Sequence, residues 1–125
     1  IRKISRPPPG FLGMSKVSTL AGYGEIDKAR DGLALLSTFA GVFDCAYCKQ
    51  TGKIYIADKW NNRIRCLMPN GKVATVCGTE KGLGDGMGLY SKFNLPSGVT
   101  AMNGTIYVTD AVNHCVRKIN FVGNE

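Results

Sequence analysis

Histidine and tryptophan are almost absent from this chain, which has 1 of each among its 125 residues. A metal or acid–base centre built on imidazoles would have only His114 to draw on. Proline is scarce at 5, three of them in the run Pro7 to Pro9; with 44% hydrophobic residues this excludes collagen and argues against disorder. Long hydrophobic runs are missing too. The longest apolar stretch, 32–43, is interrupted by Ser37 and Thr38, so no membrane span is expected. Ile1 is not an initiator, and Arg2, Lys3 and Arg6 are followed by prolines instead of an apolar leader core. The expectation is a soluble intracellular chain, cytoplasmic in setting, whose true start is missing. Hydrolase, nucleotide-loop and zinc-protease signatures (G-x-S-x-G, G-x-x-x-x-G-K-[ST], H-E-x-x-H) are absent as well.

The 5 cysteines form an odd set without the spacing of a small secreted domain. Cys45 and Cys48 make a C-x-x-C, yet Cys66 and Cys77 offer no second close pair for zinc. In a strand, positions i and i+3 point to opposite faces, which opposes shared coordination. Reduced structural cysteines are expected, with no metal and no cofactor. Lys and Arg number 16 against 9 acids, a formal charge of +7. That charge suits an anionic partner such as RNA, DNA or an acidic protein, and suits a solvated basic surface equally. The basic residues are scattered from Arg2 to Lys118, so charge alone decides nothing.

Glycine is abundant at 16, about twice its usual share, as expected where many tight turns join short strands. Self-comparison explains why. Thr51-Gly52 through Leu67 lies over Asn103-Gly104 through Ile119 in the frame G-x-I-Y-[IV]-x-D-x-x-N-x-x-[IV]-R-x-[LI]. Upstream, Asp31-Gly32 and Phe39 answer Asp85-Gly86 and Phe93, and Val17 to Gly22 answers Val73 to Gly78. Ile1 to Ile4 repeats Val116 to Ile119. Each unit parses into four short strands: Val42 to Cys48 and Gly98 to Met102; Lys53 to Ala57 and Thr105 to Thr109; Arg63 to Leu67 and Cys115 to Ile119; Val73 to Cys77, with Val17 to Ala21 as its earlier copy. Asn70-Gly71 and Asn103-Gly104 are two-residue hairpin dipeptides, and Thr51-Gly52 is a looser one. Asp27 to Phe39 has some helical period, but Asp31-Gly32 argues for a loop.

A unit of about 40 to 50 residues holding four antiparallel strands is the signature of a β-propeller blade, which packs between neighbours. Ile54 and Ile56 suit one sheet face while Tyr55 and Ala57 suit the other. The motif V-x-T-[LV]-x-G, then D-G, then F, then G-x-I-Y-[IV]-x-D-x-x-N-x-x-[IV]-R, resembles the NHL repeat over residues 15–119. Asn113-His114 matches its namesake position in part, with Cys115 following; the first unit has Asn61-Asn62 there. Ala40-Gly41-Val42 departs from the more typical Asn94-Leu95-Pro96, so the first unit's entry into its first strand is expected to run differently.

The resemblance implies an all-β chain of NHL-type blades, about two of an expected six. Residues 1–22 are expected to be the last strands of a preceding blade, 23–78 one blade, and 79–125 a second lacking its outer strand. Both ends then fall in strand three, which suits excision from a longer array; three chains closing a ring are the alternative. Loops two–three and four–one share one rim, where Lys28, Arg30, Lys59, Trp60, Asn61, Asn62, Arg63 and Lys81 fall with Glu25, Asp27 and Glu80. Lys59, Trp60 and Arg63 form the candidate contact patch: Trp60 stacks a base, anchors a partner, or packs on the adjacent blade. Asp58 and Asp110 close strand two and are expected to accept backbone N–H groups of the following turn, with Asn61 and Asn113 serving the same corner. Arg65 and Arg117 are expected to pair with a carboxylate or carbonyl between blades. The Pro7–Gly10 insertion reads as a stiff loop, or as a polyproline ligand for an aromatic groove. Gly82, Gly84 and Gly86 recur in repeat phase and no helix follows, so no phosphate loop is expected. Some propellers similar to this one are enzymes with axial metals, and others bind proteins or single-stranded RNA. A non-catalytic scaffold for a protein partner is the leading expectation; a single-stranded RNA binder through a basic rim is the second; an enzyme whose site lies in other blades is the third.

Overall fold

The computed structural model describes residues 1–10, 12–24 and 28–121 as three antiparallel sheets. A pair holds β1 (Arg2–Ser5) and β2 (Lys16–Thr19). The central sheet has the order β3-β7-β6-β5-β4, from β3 (Gly32–Leu33), β4 (Val42–Cys48), β5 (Lys53–Asp58), β6 (Arg63–Leu67) and β7 (Lys72–Cys77). A third sheet has the order β10-β9-β8, from β8 (Pro96–Met102), β9 (Thr105–Asp110) and β10 (Cys115–Ile119). Strands four to seven form a meander, and strands eight to ten repeat its first three members. No helix among the described residues is long and apolar enough to cross a membrane.

Turn chemistry sets these boundaries. Asn103 and Gly104 both have positive φ, 51° and 77°, as a two-residue hairpin turn requires. Asn70-Gly71 does otherwise. Met68 accepts from the Gly71 N–H at 3.0 Å and donates to Lys72 at 2.8 Å, so Pro69, Asn70 and Gly71 make a three-residue loop. Pro69 holds a negative φ, which suits the first corner of an ordinary turn and leaves only Gly71 left-handed. The segment with helical period resolves into β3 and one 3-10 turn, Ala34–Leu36, consistent with a loop reading.

Both faces of the central sheet are buried, which is why its strands are apolar on alternate and intervening positions alike. Tyr55, Ala57, Ile64 and Cys66 pack on Val99, Ile106 and Val108 of the third sheet and on Phe93 in the loop before it. Ile56, Leu67 and Val73 pack on Phe39, Ala34 and Ala21, beside Ile1 and Leu20. The third sheet buries one face only. On its outer face Val116 is 70% exposed, where its counterpart Ile64 is fully buried. Sheets stacked in this way need a neighbour on each side.

Candidate binding rim

Asp58 ends β5 and is fully buried. Its Oδ1 accepts the Ala40 N–H at 2.8 Å, and its Oδ2 accepts from Asn61 Nδ2 at 2.9 Å. Asp110 repeats this with the Asn94 N–H at 2.8 Å and Asn113 Nδ2 at 2.7 Å. The expected bond to a backbone N–H of the following turn is therefore corrected. The backbone donor comes from upstream, because the chain entering β4 or β8 passes directly over the carboxylate; the following turn contributes only its asparagine side chain. Each turn is a 3-10 segment, Lys59–Asn61 or Ala111–Asn113, ending on a left-handed residue, Asn62 or His114.

Arg65 and Arg117 complete these corners. Arg65 donates to Asp58 Oδ2 at 2.8 Å, to Asp31 Oδ1 at 3.1 and 2.8 Å, and to the carbonyls of Thr38 and Arg30 at 2.7 and 2.8 Å. All of a guanidinium's N–H groups are thereby used. Phe39 lies 4.6 Å below the charge. Arg117 repeats the set with Asp110, Asp85, Lys92 and Gly84, over Phe93. Burial opposes the charge of Arg117, and its bonds to Asp85 and Asp110 outweigh that and raise its pKa. The pairing expected between blades is corrected: each arginine binds within its own sheet and the loop leading into it, because that loop folds back across β6 or β10.

The entry into β4 is corrected as well. It follows the same course as the entry into β8, since Gly41 and Leu95 are both left-handed, at φ 63° and 54°. Ala40 O accepts the Trp60 N–H at 3.0 Å as Asn94 O accepts the Val112 N–H at 3.1 Å. Leu95 holds this conformation with its N–H bonded to Asn62 Oδ1 at 2.9 Å. Glycine is required at position 41 for another reason: a Cβ there would stand 2.7 Å from the Trp60 ring.

Trp60 thus stacks on Gly41 of its own unit and is 58% exposed. Lys59 Nζ lies 4.3 Å above the ring of Phe43, itself 65% exposed. Lys59, Trp60 and Phe43 form one aromatic–basic surface at the start of β4. Phe43 carried no signal in the sequence: only the bulge between Val42 and Asp44 turns it outward. Arg63 starts β6, and its Nε is buried with no hydrogen-bond partner among the described residues. Lys28 and Arg30 are exposed on the loop that crosses β6, where Lys28 O accepts from Thr38 Oγ1 and Arg30 O from Arg65. Lys81 is exposed beyond β7, next to Glu80, which bonds Lys92 at 2.7 Å. Glu25 and Asp27 lie outside the described residues. Asp44 was not singled out by pattern, yet its Oδ2 accepts the Val99 N–H at 3.0 Å and ties β4 to β8 across the two sheets.

All five cysteines are free thiols. Cys45 is exposed and Cys48 buried, on opposite sides of β4. Burial raises the Cys66 thiol and pushes Cys77 up to about 12. Among the described residues, no group of three or more His, Cys, Asp or Glu is placed to hold a metal ion.

A four-stranded antiparallel meander stacked face to face on a three-stranded copy of itself, with a carboxylate corner in each, defines this chain as part of a β-propeller. A solved structural-genomics protein of unknown function from Bacteroides thetaiotaomicron is similar at a TM-score of 0.75 and 25% identity, over 82% of this chain and 27% of that one. Residues 93–119 match the family model of the NHL repeat. NHL repeat-containing protein 2 of Homo sapiens is 41% identical over 71 residues, 56% of this chain and 10% of that protein. Protein SUPPRESSOR OF QUENCHING 1, chloroplastic, of Arabidopsis thaliana is 36% identical over 76 residues, 58% of this chain and 7% of that protein. Residues 93–119 of the chain thus carry an NHL repeat. It spans about a tenth of the length of the curated relatives it matches.

Proposed function

We propose that this chain is part of a non-catalytic scaffold that holds a protein partner against the rim bearing Lys59, Trp60 and Phe43. In this reading residues 23–78 and 79–125 are neighbouring blades, and residues 1–22 close the blade before them. The observation that carries the reading is Trp60: a large aromatic side chain more than half exposed, on a turn whose backbone is fixed to Ala40. Tryptophan presented on a rigid turn loses little entropy on binding and dominates many interfaces. Lys59 above Phe43 adds a positive charge beside an apolar surface, which suits a partner with acidic residues flanking an apolar anchor.

Affinity capture with the wild-type chain, with Trp60→Ala and with Lys59→Glu tests this. A partner retained by the wild type and lost by both variants supports the reading. Capture indifferent to both substitutions overturns it. A salt-dependent shift with single-stranded RNA, abolished by Lys59→Glu combined with Arg63→Glu, assigns the same surface to RNA instead.

A further inference from the structure

The two units build the same carboxylate corner, yet one of them carries side chains there that the corner does not use. Lys59, Trp60 and Phe43 stand where the second unit has Ala111, Val112 and Ser97. Ser97 turns back on its own strand, its hydroxyl donating to Leu95 O at 3.0 Å. The bonds of Asp58 to Ala40 and of Asp110 to Asn94 are both 2.8 Å long. The corner forms equally well without the two rings and the ammonium, so these belong to one unit and not to the repeat.

Each of the three also presents an unused group. One face of the Trp60 indole lies on Gly41, and the side chain is still 58% exposed. Its Nε1 donates no hydrogen bond among the described residues. The Phe43 ring is open to solvent beside it. Lys59 Nζ rests over that ring at 4.3 Å and pairs with no carboxylate among the described residues. Asp44 and Asp58, the acids next to Phe43 and Lys59 along the chain, are committed elsewhere. Asp44 accepts the Cys45 and Val99 N–H groups, and Asp58 accepts from Ala40, Asn61 and Arg65.

Resting on the reading of this rim as a protein-binding surface, we propose that its ligand is a proline-rich segment in polyproline II conformation with acidic residues beside the prolines. Exposed aromatic faces accept pyrrolidine rings without a deep pocket, and a stiff extended ligand loses little entropy on docking. Polyproline II bonds none of its own carbonyls, so one of them is available to the Trp60 indole N–H. The unpaired Lys59 ammonium takes the acidic flank. Charge also rejects the proline run of this chain itself: Pro7 to Pro9 follow Arg2, Lys3 and Arg6, whose cations would face Lys59. The ligand is therefore a segment of another protein.

Trp60 is the only tryptophan, so its emission reports on this surface alone. Titrating the 125-residue chain with the capped peptide Asp-Pro-Pro-Pro-Pro-Pro-Asp is expected to give a saturable blue shift as the indole loses water. The same peptide with alanine for every proline keeps its charge and leaves the protein untouched; it is expected to bind about tenfold more weakly or worse. Followed by anisotropy of the labelled proline peptide, Phe43→Ala and Trp60→Phe should each weaken binding roughly fivefold, the second because it keeps a ring and loses the donor. No saturable shift, equal binding of the alanine peptide, or indifference to both substitutions overturns the proposal. If the proline peptide fails while affinity capture still loses its partner with Trp60→Ala, the rim stands as a protein-binding surface and only its ligand class falls. Capture that is indifferent as well removes both readings.

Discussion

Arg65 is the residue on which the central sheet depends most. It is fully buried, and its charge is balanced by Asp58, also fully buried, and by Asp31. Removing one member of such a set leaves a buried charge unpaired, which costs about 3–5 kcal/mol. Arg65→Met is expected to destabilise the chain by about that amount in urea unfolding. Arg65→Lys should recover little, because an ammonium has fewer donors and no planar fork to span Asp31, Asp58 and two carbonyls. Arg117→Met is expected to cost less, since Arg117 retains contact with water and Asp85 is open. Equal losses at the two arginines would contradict the difference in burial. Cys77 carries the pH dependence at this scale. Its thiol is raised from 9.0 to about 12 by burial, so the folded form stays protonated where the unfolded form has ionised. The associated stability is fully present below pH 9 and is lost as pH rises toward 12. Cys66, raised by burial too, acts with the same sign. Melting temperatures measured from pH 8 upward should fall less steeply in Cys77→Ala than in the wild type; parallel curves would remove Cys77 from the account.

Strands and the turns between them make the next scale. The 3-10 turns after β5 and β9 end on Asn62 and His114, both left-handed, at φ 54° and 55°. A β-branched residue there is strained by about 1–2 kcal/mol, while glycine is not. His114→Ile should therefore lower stability by that amount and His114→Gly should not, as read from thermal unfolding; comparable losses would point to the imidazole itself. The strands were legible because period-two apolar runs and their turn residues agree in both copies. Comparing copies also located Asp58 and Asn61 as a corner, while Arg65, which completes it, was expected between blades. Their partners were not legible. Ala40 and Asn94 donate through backbone N–H groups, which leave no mark on residue identity, and this is why the bonds were expected in the wrong turn. Asp44 and Phe43 escaped for a related reason. The second copy has Gly98 at the position of Asp44, so the tie to Val99 is made once and has no repeat to reveal it.

At the scale of the whole molecule, burial decreases outward from one sheet. β5 and β6 have a strand on each side and a packed layer on each face, formed by Phe93, Ile106 and Val108 on one and Phe39, Ala34 and Ala21 on the other. β10 has a strand on one side and an open face at Val116, and Ile4 and Val17 of the first pair are likewise exposed. In stacked repeats stability is set by each unit and its contact with the next, so layers with one neighbour open before layers with two. Amide hydrogen exchange should therefore be slowest at Ile56, Ala57, Ile64 and Arg65, and fastest among strand residues in β1, β2 and β10. β9, with a strand on each side and Ile106 and Val108 buried, should be the slowest strand of the third sheet, and the Asp44–Val99 bond between the second and third sheets should make the Val99 amide slow within edge strand β8. A single exchange free energy across all ten strands would mean that the layers open together, and the uncovered flank at Val116 would then set no order of opening.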